Sequence, residues 1–180
     1  MRKNLLRWEI VGALFTCAAG TLLHFLYGLS GDNAVVAAFS AVNESTWEHM
    51  KIFFVPYFVF AMVEFIAFAE PFRNFFACKG ASAVVGLLLI PVLFYTISGA
   101  IGETPDWVNL AIFYVTVLLT YFLSFRLLTR GALRSGWVQI AGFALLWLLL
   151  FAFVYFTYRT PQLPIFRDPA THCYGLGRTC

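Results

Sequence analysis

The chain has 180 residues, of which 61% are hydrophobic and 12% charged; soluble domains carry roughly 25% charged residues. With a mean hydropathy of +0.81, this balance excludes a soluble globular domain, and the net charge of +3 is too small to point to nucleic acid as a partner. No hydrophilic stretch is long enough for a second domain, so one all-α integral membrane domain over 1–180 is expected.

Five apolar runs, at about 10–29, 52–69, 81–98, 108–125 and 138–158, each reach the roughly 17–25 residues a helix needs to cross the hydrocarbon core. The first follows a basic start and passes Cys17-Ala-Ala-Gly, but it continues to Leu29 and is read as a span rather than a cleaved leader. Within it, Gly12, Thr16 and Gly20 form a small-residue stripe suited to close helix packing, inside the bundle or against a second copy. His24 lies just inside its far end, where a polar ring requires a partner.

The segment 30–51 is the most polar feature of the chain. Ser30-Gly-Asp-Asn33 forms a turn whose Asp32 or Asn33 can cap a helix. Val35, Phe39, Val42 and Thr46 then follow helical spacing, with Glu44, Glu48 and Lys51 as a separate polar stripe. A short interfacial or re-entrant helix over about 34–50 is predicted, ending in Asn43-Glu-Ser-Thr-Trp-Glu-His-Met-Lys51.

Pro56 in the second span and Pro91 in the third each remove a backbone donor, so a kink or helix start is expected there. Glu64, near the end of the second span, is expected to reach the interface beside Arg73; facing inward, it would instead mark a proton or ion path. Gln139 suits a helix-contact hydrogen bond. The tail 159–180, with Pro161, Pro164 and Pro169, cannot form a sixth span and is expected to fold back over the bundle, bringing Arg167, Asp168 and His172 to the polar cluster. Cys173 and Cys180 share this tail, where either a bridge or two free thiols fits the spacing. Cys78 and Lys79 are assigned to the loop before the third span.

Basic residues set the orientation. Arg2, Lys3, Arg7, Arg73, Lys79, Arg126, Arg130 and Arg134 fall on one side if the spans alternate. Retention of Lys and Arg inside then predicts a multi-pass plasma-membrane protein with a cytoplasmic N-terminus and an extracytoplasmic C-terminal tail.

The Asn-Glu-Ser-x-Trp-Glu-His-x-Lys stretch at 43–51, with His24–Tyr27 and Phe166-Arg-Asp-Pro169, resembles an uncharacterised family of small polytopic prokaryotic membrane proteins. The resemblance covers nearly the whole chain and implies a topology rather than a reaction.

All three histidines, His24, His49 and His172, are expected on the outer side with Glu44, Glu48 and Asp168. Imidazoles with carboxylates suit a divalent metal such as zinc, giving His24 and His172 with Glu44 or Glu48 as a ligand set. Without metal, Glu44, Glu48 and His49 are the candidate acid–base groups, with Asn43, Trp47, Lys51, Arg167 and Asp168 as substrate contacts. The plain alternative is a solvated helix face, with Trp47 as its anchor and Lys51 neutralising the carboxylates. Three functions follow: an enzyme acting on a lipid or other apolar substrate at the outer face, a small transporter or substrate-binding membrane subunit, or an accessory protein that assembles with itself or a membrane partner. The lipid bilayer is the partner common to all three.

Overall fold

The computed structural model describes residues 2–68, 72–102 and 105–176. Its elements are α1 (Arg2–Leu29), α2 (Ala34–Ala37), α3 (Thr46–Phe68), α4 (Phe75–Ile101), α5 (Asp106–Arg130), α6 (Gly136–Tyr158) and a 3₁₀ turn at Pro164–Phe166. Five of these helices are long and apolar enough to cross a membrane. The protein is a multi-pass helical membrane protein, and a backbone inside lipid must satisfy its own hydrogen bonds, which helices do.

The helices begin earlier than the apolar runs, because intrahelical hydrogen bonding continues past the last apolar side chain. α1 starts at Arg2 and α4 at Phe75. This corrects the placement of Cys78 and Lys79: both lie in α4 with no solvent exposure, not on a loop. Glu64 is corrected too. It is fully buried, and its Oε2 lies 2.6 Å from Lys79 Nζ rather than reaching the interface beside Arg73.

The expected helix at 34–50 is also different. Only Ala34–Ala37 is an isolated helix, capped by Asn33 Oδ1 on the Val35 and Val36 amides; the helical turn at Thr46 already belongs to α3. The intervening segment is irregular and tucks between helices, with Ala38, Ser40, Ala41 and Ser45 buried. Helical spacing fails here because tertiary groups take over its backbone. Ala41 N–H donates to Leu23 O of α1, Val42 N–H to the Glu48 carboxylate, and Lys51 Nζ to Ala37 O. Buried non-helical backbone is tolerated at membrane depth when its polar groups are met in this way.

α3 is the most buried span and packs against α1, α4, α5, α6 and the 3₁₀ turn. Its core is aromatic, with Phe53, Phe54 and Tyr57 fully buried. Pro56 does not break it: α3 runs unbroken through it, as α4 does through Pro91. A proline at 56 leaves the Ile52 carbonyl without its helical donor. α1 approaches at that point through Gly20, where an added Cβ would stand 2.8 Å from Ile52 O and 2.4 Å from the Phe113 ring. The small-residue stripe of α1 therefore packs within the bundle, and its Thr16 hydroxyl hydrogen-bonds Tyr121 of α5 at 2.8 Å. α4 and α6 meet equally closely: a Cβ at Gly142 would lie 2.7 Å from Ala77 Cα. Gln139 of α6 accepts from Ala77 N–H at 3.1 Å, a helix-contact bond.

Past α6 the chain folds back. The Phe166 ring lies tilted 4.6 Å from Trp47, which also meets Phe153 at 4.6 Å, and Asn43 Nδ2 donates to Gly175 O at 2.7 Å. The tail thus roofs the end of the bundle at which α1 finishes and α3 begins.

Candidate functional site

Three elements meet under that roof. His24 comes from the last turns of α1, Glu44 from the irregular segment and His49 from the first turn of α3. Glu44 Oε2 lies 3.4 Å from His24 Nε2 and 3.6 Å from His49 Nε2, and the imidazoles are 5.4 Å apart between centroids. One ligand atom from each residue falls within 4.8 Å of the others. The helical phase explains the choice of His49 over its neighbour: at about 100° per residue, adjacent side chains of α3 face different ways.

His49 is oriented by its backbone contact. Its Nδ1 lies 3.0 Å from Ser45 O, an acceptor only, so Nδ1 carries a proton and, in the neutral imidazole, Nε2 is the nitrogen left to bind a metal on the Glu44 side. The 3.6 Å separation is too long for a hydrogen bond. It suits a shared cation better: zinc–ligand bonds of roughly 2.0–2.1 Å at tetrahedral angles place ligand atoms about 3.3–3.4 Å apart. Glu44 is half-exposed. The hydrogen bond from His24 chiefly holds its carboxyl below the usual carboxylate range, against partial desolvation and helped by the charges of His24 and His49.

A cavity of about 510 Å³ opens beside the cluster, lined by His24, Phe25, Tyr27, Glu44, Asn43 and Asp168 among others. It carries both an apolar wall and polar groups, as sites for amphipathic ligands do.

The remaining expected site residues divide by where their side chains point. Glu48 does not share a centre with Glu44: it is buried, with Oε2 2.6 Å from Lys51 Nζ and accepting the Val42 amide at 3.1 Å. Lys51 is equally removed from substrate, fully buried and donating to Ala37 O and Thr157 Oγ1 at 2.9 Å each. This pair pins the irregular segment and α6 to α3. Trp47 is wedged between Phe153, Phe156 and Phe166 and does not line the cavity. Asp168 lines it while buried, its Oδ1 accepting from the Ala170 and Thr171 amides. Arg167 and His172 are exposed on the tail, and His172, at φ +61°, stands outside the three-residue cluster. Cys173 is disulfide-bonded, whereas Cys17 and Cys78 are free; Cys180 lies outside the described residues.

Sequence reasoning overlooked one polar centre. Glu9 of α1 joins Glu64 around Lys79 at the opposite end of the bundle. Glu64, with its inward-facing alternative, was the one member the sequence marked; Glu9 and Lys79 merely border apolar runs.

The matched family model spans residues 1–176. The chain belongs to the family of unknown function DUF6512. No curated protein and no solved structure matches it.

Proposed function

We propose that this DUF6512 member is a membrane-embedded enzyme that holds a divalent transition metal, such as zinc, on His24, Glu44 and His49. The supporting observation is the convergence of these ligand atoms from three separate elements beside an open cavity, with Glu44 Oε2 at 3.4 and 3.6 Å from the two imidazole nitrogens. Three protein ligands leave a coordination position for water or substrate, the arrangement of catalytic rather than structural zinc. A metal there would lower the pKa of bound water and polarise an ester or phosphoryl oxygen. The Ser45 carbonyl on His49 supplies the second-shell contact that fixes a ligating imidazole.

The substrate class follows from the cavity. Phe25, Tyr27 and Leu176 give an apolar wall, while Asn43 and Asp168 give polar contacts. A lipid headgroup with the start of its acyl chains fits this combination. The basic-residue distribution supports a site at the extracytoplasmic face of the plasma membrane, with the N-terminus inside. The same open cavity supports a second reading, a solute-binding or transport subunit without chemistry.

Metal analysis of the full chain purified in detergent tests the proposal. One equivalent of zinc or a similar metal is expected, reduced at least tenfold in Glu44→Gln, His24→Ala and His49→Ala. A lipid-extract turnover screen should lose its product in the same variants. Metal-free protein that also takes up none on titration would refute the metal reading. Metal binding with lipid retained but never converted would favour the transport reading.

A further inference from the structure

At the end of the bundle opposite His24, four helices bring two carboxylates to one ammonium. Lys79 Nζ of α4 lies 3.0 Å from Glu9 Oε1 of α1 and 2.6 Å from Glu64 Oε2 of α3. All three side chains are buried, Lys79 and Glu64 completely and Glu9 to 3% exposure. Ser124 Oγ of α5 donates to the same Glu9 oxygen at 2.7 Å. The ammonium also lies over the rings of Tyr57, Phe75 and Tyr121 at 5.4–5.9 Å.

The charge count does not close. Two carboxylates and one ammonium leave one negative charge inside a membrane protein, where an uncompensated charge is costly. Among the described residues, the other groups facing the cluster cannot supply the missing positive charge. They are Tyr57, whose hydroxyl donates to Lys79 O at 3.1 Å, Cys78, Tyr121 (hydrogen-bonded to Thr16) and Ser124. None is cationic. The titratable side chains of α6, Tyr155 and Tyr158, lie at its other end. Meanwhile Glu9 Oε2 and Glu64 Oε1 are buried without a hydrogen-bond partner among the described residues, and Glu64 Oε2 has only its ion-pair contact with Lys79. A carboxylate oxygen accepts only, so an oxygen left in this state is where a proton can reside.

We propose that Glu9, Lys79 and Glu64 form a proton-binding site, with one proton carried by the carboxylate pair at neutral pH. The lysine bridges both carboxylates, and the retained proton makes the cluster neutral. Losing it would leave a buried net charge at the junction of α1, α3, α4 and α5, so proton occupancy is coupled to how these helices pack. A bound sodium ion could balance the same count, but the ammonium already fills the space between the two carboxylates, and a second cation would be repelled by it.

Infrared difference spectroscopy on the full chain in lipid nanodiscs, titrated from neutral to alkaline pH, tests this. A protonated-carboxyl C=O band shifting in D₂O is expected at neutral pH and should vanish with alkali. Glu9→Gln and Glu64→Gln should each remove it, since the remaining carboxylate then pairs with Lys79 alone. Lys79→Met should roughly double it, because both carboxyls must then be neutral. Should the Gln variants fail to fold, the wild-type and Lys79→Met spectra still decide. No neutral-pH band in wild type, a band surviving both Gln substitutions, no increase in Lys79→Met, or a band abolished by sodium at constant pH would each overturn the proposal.

Discussion

Replacing Lys51 by Met tests whether the Glu48–Lys51 pair is structural rather than part of the site. Lys51 Nζ makes three contacts at 2.6–2.9 Å, to Glu48, Ala37 O and Thr157 Oγ1, in a fully buried position. Removing one member of a buried pair typically costs about 3–5 kcal/mol because the survivor is left uncompensated. The two further hydrogen bonds add little, since interhelical bonds inside membrane proteins average about 0.6 kcal/mol. A loss of about 3 kcal/mol is therefore expected for Lys51→Met, read by titrating SDS into mixed micelles while following Trp emission. Trp47, next to Glu48 in the chain and packed against Phe153 and Phe166, is one of the five tryptophans whose emission reports the transition. The double variant Glu48→Met/Lys51→Met should recover part of the loss, because it leaves no lone charge, so the two changes are non-additive. Glu44→Gln, at a half-exposed residue, should cost under about 0.5 kcal/mol while removing metal. A Lys51→Met loss below about 1 kcal/mol, or strict additivity in the double variant, would refute the reasoning.

Two further outcomes are expected. Zinc affinity, measured by competition with a chromophoric chelator, should fall as pH is lowered, because ligands must be deprotonated to bind. Glu44 is depressed below the usual carboxylate range by its hydrogen bond from His24; its favourable contribution is therefore present above the ordinary carboxyl value and lost only as pH falls through the depressed one. The decline in mild acid should accordingly track imidazole protonation, and a decline confined to the carboxylate range would contradict this order. For orientation, Gly99→Cys and Gly136→Cys place probes where a side chain meets nothing within 4 Å. With Cys17 and Cys78 replaced, an impermeant maleimide applied to intact cells should label position 99 and not 136; the reverse pattern would put the His24 cluster on the cytoplasmic side.

The five spans were legible without coordinates, because crossing lipid imposes a condition on each segment by itself: enough consecutive apolar residues. His24 also stood out alone, since a polar ring inside a span is expensive wherever it points. Glu44, Glu48 and Lys51 show where that reasoning stops. Spacing put them on one stripe, but the segment leaves helical geometry before Thr46, so Glu44 turns to His24 and His49 while Glu48 turns inward to Lys51. The break arises because Lys51 and Glu48 themselves take up Ala37 O and the Val42 amide, contacts that exist only once α3 is in place. Glu9 and Lys79 are 70 residues apart, and no local pattern links them. Pairing buried charges is a property of helices packed against one another, whereas burying apolar length is a property of each helix. The chain's own order therefore determined what crosses the membrane, and the packing of α1, α3, α4 and α5 decided which of its few charges meet.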